Sequence, residues 1–261
     1  MTFVHFILIH RAAAVCYACG GMSAPFIPSI GTEIFALRPD YCALSVVARG
    51  IDNTRKCVPS DPICAPADAA ESHFEAWRAA YRAFGAKPQR TPCSAEALRK
   101  RLELDGRLPT VNPTVDLYNA ISVRYAIPVG GEDIAAYQGV PRLILAAGTE
   151  TFDTLKDGAA HTEVIPRGEV IWKDDRGATC RRWNWRQGVR TRIGDSTRDA
   201  WFVLERLDPL PIATLLEAGD ALVTALRQLS PEASFAAILL DRSGRSGFDN
   251  KDRSAPAIRP L

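Results

Sequence analysis

GRLPTVNPTVDLYNAISVRYAIPVGGEDI, residues 106–134, holds the best-marked helix start in the chain and the turn that follows it. Asn112 is a favoured N-cap type, and Pro113 stands at the first helical position, where a missing N–H costs nothing. Val115, Leu117, Ala120, Ile121 and Val123 make most of this helix apolar, so it is expected to be buried on most sides. Asn112, Asp116 and Asn119 fall at i, i+4 and i+7 and form one polar stripe. Short polar side chains on a buried helix either hydrogen-bond within the core or line a cavity, and the pattern leaves both open. Gly130 and Gly131 then bring backbone close to Glu132 and Asp133. A glycine pair admits a ligand to the main chain, and two adjacent carboxylates can act as a base or hold a cation. A plain turn with solvated acids fits the same residues.

On the N-terminal side, strands are expected at 34–37 and 42–48, separated by Arg38-Pro39-Asp40. Residues 52–67, with Pro59, Pro62 and Pro66, read as a loop. An amphipathic helix over 67–84 follows, with Phe74, Trp77, Tyr81 and Phe84 on one face and Gly85 to end it. Pro88 to Pro92 makes a hinge, and Ser94 is the expected N-cap of a helix through Leu104. Beyond the central stretch, strands are expected at 142–147, 169–173, 179–185, 201–204 and 235–240, with a helix over 210–229. Mixed strands and helices without regular βαβ alternation predict an α+β (mixed α/β) fold. The expected division is an N-terminal extension at 1–21, strands and a helix at 22–90 packed on the core, a main domain at 91–240, and a flexible tail at 241–261.

A chain of 261 residues gives one large domain or two small ones, and 47% hydrophobic residues suffice for a sizeable core. With 32 basic against 30 acidic side chains the net charge is +2, which excludes a polycation and leaves room for a local basic patch. Seven scattered cysteines are no secreted disulfide framework and point to a reduced, cytoplasmic setting. Only Cys16 and Cys19 form a C-x-x-C, so no metal is expected. No apolar run approaches the ~20 residues of a membrane span, so no membrane partner is expected either. The apolar run at 3–9 has no Lys or Arg before it, and Met22 opens an ordinary protein start. Residues 1–21 are therefore read as a start codon set too early, with a loosely attached extension or an export signal as alternatives.

The familiar catalytic signatures G-x-S-x-G, the P-loop, G-x-G-x-x-G and H-E-x-x-H are missing. His5 and His10 lie in the extension, and His73, which nothing pairs with a base, is read as structural. The strongest positive signal is TCRRWNWRQGVRTR, residues 179–192. Arginines 176, 181, 182, 186, 190, 192 and 198 are opposed only by Asp195 across 176–198. Arg binds phosphate bidentately, and Trp183 and Trp185 offer flat faces to a base or ribose. On a strand, Arg182, Asn184 and Arg186 would face one way and the two tryptophans the other. A solvated strand with aromatic core residues is the plainer reading. A second basic set, Arg78, Arg82, Lys87, Arg90, Arg99, Lys100, Arg101 and Arg107, favours an anionic polymer as partner.

Together, 106–134 and CRRWNWRQ, residues 180–187, resemble the freestanding relatives of the B3/B4 editing domain of the phenylalanyl-tRNA synthetase beta subunit. The resemblance covers roughly residues 91 to 227. It implies a B3/B4-like domain, mixed sheets flanked by helices, that hydrolyses a wrong amino acid from the 3′ end of tRNA. Canavanyl-tRNA(Arg) is one target of the freestanding branch. Asp116 and Asn119 fall on the family's V-D-x-x-N helix, and Pro128 and Asp133 on its G-Q-P-x-H-A-F-D segment. The histidine of that segment is Gly130 here, and the glutamate of a later M-G-G-E falls near Arg186.

The implied activity is that of a trans-acting aminoacyl-tRNA deacylase working without a cofactor. An aminoacyl ester is already activated, so positioned water and an oriented ester suffice. Arg181, Arg182 and Arg186 are the expected contacts to tRNA phosphates or the terminal ribose. Glu132, Asn119 and Asn184 are expected to orient the ester, the water or the ammonium group, and Asp116 to orient its neighbours. Gly130, Gly131 and Asp133 are expected to shape the pocket. Aminoacylated tRNA is the expected partner and DNA is not. A non-catalytic tRNA-binding module and a small-molecule hydrolase are the alternatives.

Overall fold

A computed structural model describes residues 26–54 and 67–248. The extension at 1–21, the Met22 start, Cys16, Cys19, most of the 52–67 loop and the tail from 249 onward lie outside the described residues.

In chain order the elements are β1 (Ser29–Ile30), α1 (Thr32–Leu37), β2 (Cys42–Arg49), α2 (Ala67–Ala83), α3 (Ser94–Asp105), α4 (Pro113–Tyr125) and β3 (Val129–Asp133). Then come β4 (Arg142–Leu145), β5 (Thr151–Lys156), β6 (Ala159–Val164), β7 (Val170–Lys173), β8 (Ala178–Arg181) and β9 (Arg186–Gln187). β10 (Asp199–Arg206), α5 (Ile212–Leu229), β11 (Ser234–Asp241) and β12 (Gly244–Phe248) complete the chain. The fold is α+β. One sheet has the order β1-β4-β7-β8-β5-β6 with β9 on β8, and the other β12-β11-β2-β10-β3. Among the described residues, no helix is long and apolar enough to cross a membrane.

The five-stranded sheet divides the core. Leu44, Val46, Phe202 and Leu204 face α4 and α5, burying the apolar stripe Leu215, Leu222 and Leu226 of the latter. The opposite face, with Ala43, Trp201 and Val203, meets α2 and the other sheet through Phe74, Trp77, Trp172 and Trp183. β2 lies between β10 and β11, so this N-terminal strand is at the centre of the sheet. Asn112 caps α4 by accepting the Val115 N–H at 3.0 Å, and the helix ends where Ala126 turns left-handed.

His73 is buried and structural. Its Nε2 is approached by two groups that can only donate, the Trp77 Nε1–H at 3.1 Å and the Leu207 N–H at 3.2 Å. Nδ1 therefore carries the proton and donates to the Ala126 carbonyl at 2.7 Å. Burial pushes the ring down to about 4, so it stays neutral.

Four local expectations are corrected. Residues 34–37 lie in the short helix α1, with Gly31 at its N-cap, because a four-residue apolar run is as compatible with one buried helical turn as with a strand. Cys93, not Ser94, is the N-cap position of α3. β8 stops at Arg181 instead of running to Trp185. Residues 244–248, expected in the mobile tail, pair with β11 as a hairpin. The β5–β6 hairpin was not expected at all. Its Asp157-Gly158 turn, with φ of 52° and 80°, is a recognisable Asp-Gly hairpin signal.

Candidate active site

Strand alternation sorts the Gly130–Asp133 cluster. Glu132 pairs with Trp201 and Gly130 with Val203, so these four point to the face that meets the second sheet. Gly131 and Asp133 point the other way. Across the gap, Trp172 pairs with Cys180 and Cys180 with Gln187. The two sheet faces border a cavity of about 330 Å³, which Tyr118 and Asn119 of α4 and Leu98 and Arg101 of α3 also line. That volume lies within the roughly 300–1,000 Å³ of small-ligand pockets.

Glu132 is 4% exposed, and its Oε2 has no hydrogen-bond partner. Burial lifts its carboxyl to about 8, although the Thr179 and Thr191 side chains and the positive charge of Arg190 favour ionisation. An unsatisfied buried carboxyl oxygen is costly and needs an explanation. Asn119 is also buried on the cavity wall, and its amide forms no hydrogen bond among the described residues. Two polar groups are thus kept free at the same wall.

The acid that sequence reasoning missed is Glu205, 1% exposed on the cavity floor beside Val203. Its Oε1 accepts from the Tyr41 hydroxyl at 2.6 Å and the Trp172 Nε1–H at 3.2 Å, and its Oε2 from Asn184 Nδ2 at 3.0 Å. Burial raises it to about 7, and these donors hold it from rising further. The available signal was an acid inside the apolar run WFVLERL, residues 201–207, where a strand leaves it no solvent. Asn184 Oδ1 accepts from the Tyr81 hydroxyl at 2.9 Å, so both ends of this amide are fixed, and its second Nδ2–H has no partner among the described residues. Cys180 also lines the cavity; burial pushes its thiol well above its ordinary value, so it does not act as a thiolate.

The RRWNW segment is a turn. Arg182 and Trp183 both have positive φ, 48° and 66°, at a cost of roughly 1–2 kcal/mol per residue. The bonds from Trp183 N to Val170 O at 2.7 Å and from Trp185 N to Arg181 O at 3.2 Å hold this conformation. The expected alternation therefore fails, and Trp183 and Asn184 are both buried. Arg181 is buried too, gripping Glu169 at 2.8 and 2.9 Å and bonding Glu163, so its guanidinium is engaged inside the protein rather than offered to a ligand. Arg182 stacks on Trp185 at 4.4 Å and lies 3.6 Å from Glu169. Arg186 is exposed, with its guanidinium 5.9 Å from the centroid of the same ring.

The remaining expected site residues do not line the cavity. Asp116 accepts the Val111 N–H at 2.7 Å, bracing the approach to α4. Asp133 caps the turn at Ile134–Ala136 and accepts from the Thr197 hydroxyl at 2.7 Å, so the expected pair of pocket carboxylates reduces to Glu132. Gly131 serves packing: a β-carbon there would sit 2.7 Å from the Tyr118 ring. Among the described residues, no group of three or more His, Cys, Asp and Glu is placed to hold a metal ion.

Residues 76–219, more than half of the chain and all of this cavity's walls, match the B3/4 domain. The chain belongs to that family. No curated protein matches this B3/4 protein. A solved structure that does is an N-terminal fragment of the phenylalanyl-tRNA synthetase beta-subunit from Pyrococcus horikoshii, 10% identical with a TM-score of 0.48. The match covers 85% of the B3/4 protein and 54% of the fragment, so the chain spans about half the length of that neighbour.

Proposed function

We propose that this B3/4 protein acts in the cytoplasm as a trans-acting aminoacyl-tRNA deacylase. Membership of the B3/4 family and the resemblance of residues 106–134 and 180–187 to editing domains support a tRNA-related role. The observation that carries the hydrolytic reading is Glu132, a buried carboxyl whose Oε2 stands unpartnered on the wall of this cavity.

In this mechanism the ionised Glu132 takes a proton from water as the water oxygen attacks the ester carbonyl. The bond from the carbonyl carbon to the ribose oxygen then breaks, its electron pair passes to that oxygen, and Glu132 returns the proton there. The products are a free amino acid and a tRNA with an intact terminal hydroxyl. The second Nδ2–H of Asn184, held in place by Tyr81 and Glu205 before the reaction begins, and the free amide of Asn119 are donors for the developing oxyanion. Glu205 is a positioning residue that holds Asn184.

The cavity walls also bear on the substrate. Trp172, Trp183, Trp185 and Trp201 line the cavity together with the carboxyls of Glu132 and Glu205, a setting that favours a planar cation over a phenol. The reading therefore extends to an amino acid with a basic or strongly polar side chain, canavanine on tRNA(Arg) being the example the family resemblance supplies. Release of labelled amino acid from a panel of mischarged tRNAs tests this. Clearance of basic aminoacyl groups ahead of tyrosine is expected. Binding of every tRNA without release would leave a capture module, and faster clearance of tyrosyl-tRNA(Phe) would overturn the cationic preference.

A further inference from the structure

A second cavity, of about 420 Å³, opens beside the first, between the end of α2 and the loop before β7. Its wall carries Lys87, Arg90, Arg167 and Arg182 against a single acid, Glu169. That acid is already held bidentately by Arg181. Among the described residues, Lys87, Arg90 and Arg167 take part in no ion pair, and Arg182 has only its 3.6 Å approach to Glu169.

This is not the general condition of cations on the neighbouring helices. Arg78 and Lys100 pair with Glu96, Arg82 with Glu75, Arg99 with Glu103 and Arg101 with Asp105. Positive charge is neutralised along α2 and α3 and left open where the surface turns concave. Like charges held around one hollow repel each other unless an anion enters.

The two cavities share a wall. Arg182 lines the basic one and stacks at 4.4 Å on Trp185, which lines the first. Phe84 lines the basic one and packs against Trp183, which also lines the first, with ring centroids 6.3 Å apart. An anion seated among the cations is thus separated from the Glu132 cavity by one layer of side chains.

We propose that this basic cavity binds a phosphodiester of the tRNA 3′ acceptor strand, anchoring the chain whose terminal ester enters the Glu132 cavity. The proposal rests on the tRNA-related role above and does not require hydrolysis. Its test is the binding of uncharged tRNA as a function of salt, for the wild type and for Lys87→Ala/Arg90→Ala/Arg167→Ala. These side chains are exposed, so the variant should melt within a few degrees of the wild type.

At least a ten-fold loss of affinity is expected near 0.1 M salt. A single-strand phosphate left without its cations takes about 0.7 from the log–log salt slope, and a fall of that size is expected for the one phosphodiester seated here. Lys87→Arg/Arg90→Lys/Arg167→Lys, which keeps the charge, should restore most of both. The deficit should shrink on tRNA trimmed of its last four nucleotides. An unchanged affinity and slope, or an equal deficit on trimmed tRNA, would overturn the proposal. So would a variant that loses only inorganic phosphate, since the hollow would then hold a small free anion. Because the tRNA is uncharged, a failed deacylase reading leaves this result standing, and the reverse also holds.

Discussion

Replacing Glu132 by Gln tests the electrostatics of the cavity without a substrate. The unfolded chain holds this carboxyl near 4.5, and burial in the folded protein lifts it to about 8. The folded state thus binds the proton more tightly than the unfolded state. Stability from this group is fully present below about 4.5 and is lost as the pH rises to about 8, beyond which it changes no further. At about 1.4 kcal/mol for each tenfold change in proton affinity, the full loss is on the order of 5 kcal/mol. Glutamine keeps the shape and does not ionise, so Glu132→Gln should remove this component of the pH dependence. Urea unfolding of both proteins from pH 5 to pH 8.5 measures it. The wild type should lose several kcal/mol relative to the variant over that range, which cancels any constant cost of the amide and the separate contribution of Glu205. Parallel stability curves would refute the reasoning, because Glu132 would then ionise as freely folded as unfolded.

Two further predictions concern the arginines. Arg181→Ala leaves the buried Glu169 without its bidentate partner and should cost about 3–5 kcal/mol in urea unfolding; a loss under 1 kcal/mol would mean that Glu169 does not depend on this pair. Arg182→Ala with Arg186→Ala should reduce the salt slope of tRNA binding by about 0.7–0.9 for each phosphate left without its guanidinium; an unchanged slope would mean that both arginines serve only to pack on Trp185.

The sequence made legible whatever local chemistry decides. Asn112-Pro113 marked α4 because an N-cap and a first-position proline act within one turn, and Phe74, Trp77 and Tyr81 marked the buried face of α2 through their spacing alone. Glu132, Asn119 and Asn184 were singled out, and the fold brings all three to one cavity. What was not legible depends on partners far along the chain. The run 34–37 is apolar in either a strand or a helical turn. The alternation assumed for residues 182–186 failed because Val170 and Arg181 hold the backbone in a left-handed turn. Asp133 looked equivalent to Glu132, yet one step along a strand put it on the opposite face, where Thr197 binds it. Glu205 acquires its role only from Tyr41, Trp172 and Asn184, residues separated from it by 164, 33 and 21 positions.

Single-turnover hydrolysis of canavanyl-tRNA(Arg), followed by wild type and Glu132→Gln with tRNA affinity measured in parallel, bears most directly on the central claim. The wild type should release canavanine without added metal, faster as the pH rises towards about 8 and Glu132 ionises. The variant should turn over at least ten-fold more slowly, about 1.4 kcal/mol in the barrier, with nearly unchanged tRNA affinity. A variant as fast as the wild type, or a rate that falls as Glu132 ionises, would contradict the assignment of this carboxyl as the base.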